Sequence, residues 1–167
     1  MNLRRPVFVS SLALAVAVLS PVSALGAATG TGHAVRLRGT SKETAIIDLA
    51  TGTGTSDGTF RMTPLGKGTE HTDFTSFTLT GNTFAFTGTA AFIAANGDQV
   101  FTTTVGSGVV MSTGSESTTR DTITGGTGRF THAHGHFKVT TAGVTVSIVG
   151  LIVTSTSTST ERGSIRY

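Results

Sequence analysis

Hydrophobic and polar residues alternate along much of the chain, most clearly between residues 83 and 105. One parity of residues 83–94 is apolar and the other is rich in threonine. The apolar set is Phe84, Phe86, Gly88, Ala90, Phe92 and Ala94. Because successive side chains of a strand point to opposite faces, this pattern predicts an amphipathic strand with one face in a core. Asn96-Gly97 supplies the positive φ angles of a hairpin turn, so residues 100–105 are predicted to return as the partner strand.

Shorter stretches of the same kind predict further strands between glycine-rich turns. The candidate segments are residues 34–37, 45–49, 51–55, 58–62, 74–79, 117–124, 129–141 and 144–153, with breaks at 39–41, 106–108 and 142–143 and a closing segment at 163–167. Together the segments amount to about seven or eight strands in hairpin succession without a helix of ordinary length, which is typical of a sandwich or an up-and-down barrel. Closure removes the exposed edges of threonine-rich strands. We therefore predict an all-β fold, a single antiparallel eight-stranded β-barrel.

The first 28 residues have a different composition and predict a secretory signal peptide. Arg4 and Arg5 form a basic start, residues 7–19 are apolar and uncharged, and small residues suit cleavage between positions 24 and 28. A membrane anchor would need about 20 apolar residues, whereas Ser20-Pro21 ends this run earlier. We expect a secreted or extracytoplasmic domain of residues 29–167, with a flexible lead-in at 29–33 and no stable membrane anchor after cleavage.

The charge and cysteine content limit the classes of partner and of chemistry that the sequence allows. The chain has 12 Lys and Arg against 9 Asp and Glu, and loss of Arg4 and Arg5 with the signal leaves 10 against 9. Because these basic residues are scattered along the sequence, we expect no electrostatic footprint for nucleic acid or an anionic membrane. There is no cysteine, which excludes a disulfide framework and a thiolate nucleophile.

A dense glycine turn precedes the predicted strand at residues 129–141. From Gly125 to Gly135 the chain reads Gly-Gly-Thr-Gly-Arg-Phe-Thr-His-Ala-His-Gly. A phosphate-binding loop would open a helix, whereas the residues that follow read as a strand, so we interpret the glycines as turn or bulge residues. The structural motif consists of Gly125, Gly126, Gly128, Phe130, Ala133 and Gly135.

This segment resembles the Gly-Gly-Thr-Gly-x-Phe-x-x-Ala-x-Gly segment of the dirigent and allene oxide cyclase barrels. The C-terminal Gly163-x-Ile165-x-Tyr167 is similar to the end of many bacterial secreted relatives. The resemblance implies an eight-stranded antiparallel barrel, often a homo-oligomer, with an apolar cavity and no cofactor. In the plant members that cavity holds a reactive oxylipin while it cyclises, or steers the coupling of phenoxy radicals. Their polar cavity residues lie outside the matching segment, so no catalytic residue is carried over.

Four carboxylates are candidate acid or base groups, namely Glu70, Asp73, Glu116 and Asp121. A carboxylate buried in a barrel otherwise lined by Phe and Thr would have a raised pKa suited to proton transfer. Charged residues near turns are usually solvated, and we expect this of at least three of the four. Asp121, with Arg120 beside it, is the preferred catalytic candidate.

His132, His134 and His136 alternate with Ala133 and Gly135, so all three are predicted to point to one face of a strand, about 6.8 Å apart. Neighbouring imidazoles on a strand can share a metal ion, which makes them a candidate metal site. The intervening positions are apolar and are expected to face the core. We therefore favour an outward-facing charge that changes with pH over a metal site.

Three functions remain open, and whether the protein is an enzyme is undecided. The leading hypothesis is a secreted barrel that binds a small apolar molecule in a lumen lined by Phe84, Phe86 and Phe92. The second is a cofactor-free cyclase or isomerase, or a stereo-directing protein, that uses the same cavity. The cyclase or isomerase needs a carboxylate or tyrosine inside the lumen. The third is an outer-membrane barrel, which a chain with no Trp and one Tyr is poorly equipped to anchor.

Overall fold

The computed structural model of the protein describes residues 32–167. The predicted signal peptide and the predicted lead-in up to residue 31 lie outside the described residues. Eight antiparallel strands form a closed barrel in which each strand pairs with the next along the chain, and the last pairs with the first. This confirms the predicted all-β, eight-stranded barrel. No helix within residues 32–167 is long and apolar enough to span a membrane.

The strands follow one another as a meander with one short 3₁₀ helix, Gly128–Phe130, between the sixth and seventh. They are β1 (Val35–Asp48), β2 (Thr53–Thr63), β3 (Gly66–Thr80), β4 (Thr83–Ala94), β5 (Gln99–Met111), β6 (Gly114–Gly126), β7 (His134–Val149) and β8 (Ile152–Arg166).

The alternation of the sequence decides which side chains enter the barrel. In β4 the apolar parity from Phe84 to Ala94 is buried or half-buried, whereas most of the threonine parity is exposed. In β5 every second residue from Val100 to Gly106 is buried and the residues between them are exposed. The predicted amphipathic hairpin of β4 and β5 is therefore confirmed.

Several predicted breaks turn out to lie inside strands. Residues 39–41 continue β1, and residues 106–108 continue β5. Gly106 and Gly108 lie directly opposite Phe86 and Phe84 of β4. A Cβ atom at Gly106 would collide with the ring of Phe86, and one at Gly108 would collide with the ring of Phe84. These glycines make room for aromatic rings across the sheet rather than turning the chain.

The last two strands also differ from the prediction. The predicted turn at residues 142–143 lies inside β7, and the chain reverses at Gly150, whose φ of 61° is in the left-handed region. The predicted strand at residues 144–153 is therefore wrong, because it straddles this reversal. β8 continues through the whole threonine and serine tail and closes the barrel against β1.

One end of the barrel is filled by an apolar core and is called the base; the opposite end, at the β1–β2, β3–β4, β5–β6 and β7–β8 turns, is called the mouth. The core consists of Leu37, Phe60, Met62, Leu65, Ala90, Phe92, Val100, Ile123, Phe130, Ala133, Phe137 and Ile165. The Phe92 ring packs edge-on against Phe60 and Phe137, with centroids 5.6 and 5.7 Å away. Full burial of side chains of this size stabilises the fold by about 1.5–3 kcal/mol each.

The glycine motif of residues 125–135 covers the base. Its middle part forms the 3₁₀ helix, and β7 begins only at His134, so the predicted strand at 129–141 starts five residues too early. Phe130 is fully buried and packs on Tyr167, with ring centroids 4.8 Å apart. Arg129 lies over the Phe130 ring at 4.7 Å and forms a salt bridge with Asp98 at 3.2 Å. The motif therefore caps the barrel core.

The basic residues are scattered along the sequence but not over the barrel. Arg120 of β6 lies opposite Lys138 of β7, and Lys138 lies opposite Arg162 of β8. Arg162 in turn lies opposite Arg38 of β1. We call these four exposed residues the basic row. Strand register therefore brings together four basic residues that are far apart in sequence, which their scattered sequence positions did not predict.

Candidate functional site

Four carboxyl side chains enter the lumen between the base and the mouth. They are Glu43 of β1, Glu70 of β3, Asp121 of β6 and Glu161 of β8, and we call them the acid cluster. Glu70, Asp121 and Glu161 are only 6%, 4% and 2% exposed. Carboxylates are almost never buried to this extent unless they are paired with a cation. The acid cluster is therefore the feature of the barrel that most needs a functional explanation.

Two of the four carboxylates that the sequence analysis considered belong to the acid cluster. Glu70 and Asp121 are buried, whereas Asp73 and Glu116 are exposed. The expectation that at least three would be solvated is wrong. Arg120 is exposed on the outer face, because neighbouring residues of a strand point to opposite sides. The structure therefore does not bring Arg120 together with Asp121.

Sequence reasoning missed the other two carboxyls of the cluster. Glu43 lies two residues from Ser41 and four from Ile47, on the inward parity of β1. Glu161 lies four residues before Ile165 on the inward parity of β8. Each shares its parity with a buried apolar residue, which is a signal that the short predicted strands concealed.

Serine hydroxyls hold two of the carboxyls. Ser41 Oγ lies 2.8 Å from Glu161 Oε1 and 3.1 Å from Glu43 Oε1. Ser56 and Ser159 donate hydrogen bonds to Glu43 at 3.0 and 3.2 Å. Because a serine hydroxyl has a single proton, Ser41 donates to only one of its two carboxyl neighbours at a time.

Burial sets the protonation of the deepest carboxyls. Burial, together with repulsion from Glu43 and Glu161, raises the pKa of Glu70 to about 9. The pKa of Glu161 is also raised, chiefly by burial. Burial likewise raises the pKa of Asp121 to about 7, although the hydrogen bond from Thr104 opposes this shift. At neutral pH, Glu70 is therefore a neutral acid while Asp121 is close to its titration midpoint.

Two carboxyl oxygens of the cluster have no hydrogen-bond partner among the described residues, namely Glu70 Oε1 and Glu161 Oε2. An unsatisfied buried polar atom costs about 1–3 kcal/mol. Gly58 lies opposite both Glu43 and Glu70, and a Cβ atom there would lie 2.9 Å from Glu70 Oε1. A Cβ atom at Gly39 would lie 2.8 Å from Glu161 Oε2. The sheet thus uses glycines to accommodate two carboxyl oxygens that have no partner among the described residues.

Phenylalanine rings line the lumen on the mouth side of the acid cluster. Phe74 packs edge-on against Phe86 at 5.3 Å, and Phe77 stacks on Phe84 at 5.5 Å. A register shift in β3 between Phe74 and Ser76 turns both rings of β3 inward although they are three residues apart. Strict alternation could not predict this arrangement.

A cavity of about 200 Å³ extends from the acid cluster to the mouth. Phe84, Phe86 and Phe92 all line it, as the sequence predicted, and Phe92 lies next to the packed base. The volume is below the roughly 300–1,000 Å³ of pockets that hold drug-sized ligands. The cavity therefore suits a small molecule that has an apolar part and one polar group.

The three histidines of the glycine motif lie outside the barrel. His134 and His136 are exposed on β7, and His132 lies in the turn before it, so the predicted row of three on one strand does not form. His134 Nδ1 contacts the His132 carbonyl oxygen at 3.2 Å. Within residues 32–167, no group of three or more His, Cys, Asp or Glu side chains is placed to hold a metal ion.

Comparisons of the chain with protein-family models, curated proteins and solved structures found no match. The resemblance to dirigent and allene oxide cyclase barrels therefore rests on residues 125–135 and the C-terminal residues alone.

Proposed function

We propose that the barrel binds a small, largely apolar molecule in its lumen and holds one polar group of that molecule at the acid cluster. The observation that carries this proposal is the cavity itself, which has phenylalanine walls and the carboxyl groups of Glu70 and Glu161 at its inner end. One oxygen of each carboxyl group has no hydrogen-bond partner among the described residues. Apolar walls with a few convergent polar groups are the usual features of a small-molecule site.

The protonation of Glu70 indicates what the polar group is. With its pKa raised to about 9, Glu70 is a neutral acid at pH 7 and donates a hydrogen bond. A carbonyl oxygen accepts such a bond, and the apolar remainder of the ligand then contacts Phe84 and Phe86. We therefore propose small apolar ketones or similar carbonyl compounds as the ligand class.

Acetophenone and ethylbenzene test this proposal, since they share a shape and differ in the carbonyl oxygen. Calorimetry should show that residues 29–167 bind acetophenone about tenfold more tightly at pH 7, as one hydrogen bond provides. The difference should disappear above pH 9, where Glu70 loses its proton. Glu70→Gln keeps a donor and should remove that pH dependence, and Glu70→Leu should abolish the preference. The proposal would be overturned if neither acetophenone nor ethylbenzene binds.

The separated pKa values of Glu70 and Asp121 favour a second candidate function, a cofactor-free isomerase or cyclase. Glu70, with a pKa raised to about 9, would donate to a carbonyl oxygen. Asp121, with a pKa raised to about 7, would take a proton from the adjacent carbon. The resemblance to allene oxide cyclase barrels supports the same class of chemistry, because that family also works without a cofactor.

Deuterium exchange into the acetophenone methyl group, followed by NMR in D₂O, separates catalysis from binding. The exchange rate should rise as Asp121 ionises near pH 7 and fall as Glu70 ionises near pH 9. Asp121→Asn should stop exchange without loss of acetophenone binding. If the protein binds acetophenone but the methyl group exchanges no faster than in buffer, the catalytic function is refuted and only the binding function stands.

We further propose that the protein is exported and acts as a soluble barrel. Residues 1–28 support export, and the first residue of the extracellular protein should lie between 25 and 29 by N-terminal sequencing. The charged outer face speaks against the outer-membrane alternative, since Arg or Lys facing lipid at the bilayer midplane costs about 2–4 kcal/mol. Recovery of the processed protein in the membrane pellet would contradict this proposal.

A further inference from the structure

We propose that the outer face of β6, β7, β8 and β1 binds a linear anionic polysaccharide through the basic row. The row crosses four adjacent strands, so its three strand-to-strand steps of about 4.8 Å place four cations along about 14 Å. The basic row lies on the outer face, so this proposed ligand is independent of the molecule that the lumen binds.

The basic row has no internal neutralising partner. Its members lie directly opposite one another, and like charges in that position destabilise a sheet. None of the four forms a salt bridge within residues 32–167. A surface that keeps such repulsion is suited to an external anion, whose binding relieves it.

The acid cluster makes the exterior more basic than the composition suggests. The 10 Lys and Arg residues of the described chain are all exposed, whereas four of its nine acids lie in the lumen. Ten basic and five acidic side chains therefore remain outside the lumen. The near-neutral count of the whole domain hides a surface that attracts polyanions over several ångströms.

Hydroxyl side chains border the basic row. On its mouth side a parallel row of threonines crosses the same four strands, namely Thr118, Thr140, Thr160 and Thr40. On its base side Thr122, His136, Ser164 and Arg36 occupy the corresponding positions. Cations flanked by hydroxyls match a chain that carries both charged groups and sugar hydroxyls.

The shape and composition of this face favour a polysaccharide over other polyanions. No aromatic residue occupies an outward position on the described parts of β6, β7, β8 or β1, so bases of single-stranded nucleic acid find no stacking platform. A convex barrel touches a flat membrane along few strands, whereas a flexible chain can follow the row around the barrel.

Dextran sulfate and neutral dextran provide matched probes, with binding to residues 29–167 measured by fluorescence anisotropy. Dextran sulfate should bind, and its affinity should fall with salt as expected for about three to four released counterions. Lys138→Gln/Arg162→Gln should weaken binding at least tenfold. The control is Arg61→Gln/Lys67→Gln, which removes the same charge from two residues that pair directly between β2 and β3. These two strands also carry Asp57 and Asp73, so the control should weaken dextran sulfate binding less than threefold.

Three results would overturn the proposal. Equal losses in the two double variants would show a response to net charge alone. Equal binding of neutral dextran would exclude an electrostatic site. Tighter binding to duplex DNA or to phosphatidylglycerol vesicles than to dextran sulfate would assign the basic row to a nucleic acid or to a membrane. Phe86→Ala, a change inside the lumen, should leave dextran sulfate binding unchanged.

Discussion

At the scale of single residues, the acid cluster links the lumen to the stability of the fold. The ordinary pKa of Glu70 is 4.5 and burial raises it to about 9, so the folded protein keeps a proton that the unfolded chain releases. Stability is therefore complete below pH 4.5 and is lost as the pH rises towards 9, by about 1.4 kcal/mol per pH unit for one group. Asp121, with a pKa raised from 3.8 to about 7, adds a loss between those values.

Glu70→Gln should remove the largest part of this loss. We expect the gain in free energy of unfolding over the wild type to be on the order of 4 kcal/mol larger at pH 8 than at pH 5, which is about 1.4 kcal/mol for each pH unit. Urea unfolding of residues 29–167 at both pH values measures the difference. Glu116→Gln, which alters an exposed carboxylate, is the control and should shift neither value. If the free energies of unfolding of Glu70→Gln and the wild type differ by the same amount at pH 5 and pH 8, Glu70 is not a neutral buried acid.

Residue-scale prediction from the sequence succeeded where strand parity was readable and failed elsewhere. Phe84 and Phe86 were placed in the lumen because β4 alternates strictly. Glu161 was missed because it follows a long threonine and serine run that has no apolar parity of its own. The parity that Glu161 shares with Ile165 indicates an inward position, but no local pattern reveals its pairing with Val139 and Gly39.

At the scale of elements, the paired glycines and aromatics of β4 and β5 shape the mouth. Because a Cβ atom at Gly106 would collide with the Phe86 ring, Gly106→Val should displace that ring and change the lumen wall. We expect a destabilisation of about 1–3 kcal/mol and a roughly tenfold loss of acetophenone affinity. Urea unfolding and calorimetry measure the two effects.

The neighbouring position provides the control for this variant. Ser107 is exposed on the outer face of the same strand, so Ser107→Val should change neither stability nor affinity appreciably. If the two substitutions have equal effects, Gly106 does not determine the shape of the lumen wall at the mouth. The same contact explains why residues 106–108 were predicted as a break, since glycine signals a turn unless its partner across the sheet is known.

At the scale of the whole molecule, closure and the distribution of charge differ in how far the sequence predicts them. Closure was predicted because it removes the exposed edges that threonine-rich strands in hairpin succession would otherwise present. The basic row and the acid cluster were not, because both depend on the register between the first and last strands. The hydrogen bond from Ser41 to Glu161, for example, joins residues 120 positions apart.

The seam between β1 and β8 is therefore the contact on which the lumen and the basic row both depend. Ile165 lies on this seam opposite Val35, is completely buried and belongs to the base core. Ile165→Ala should lower the free energy of unfolding by about 2–5 kcal/mol, because the methyl groups it removes leave a cavity in a packed core. Urea unfolding at pH 5, where the carboxyl effects are small, isolates this change. Arg166→Ala, at the exposed neighbouring position, should cost less than about 0.5 kcal/mol. If Ile165→Ala lowers the free energy of unfolding by less than about 1 kcal/mol, the seam contributes little to the stability of the barrel. The acid cluster and the basic row would then lack the fixed strand register on which their proposed functions depend.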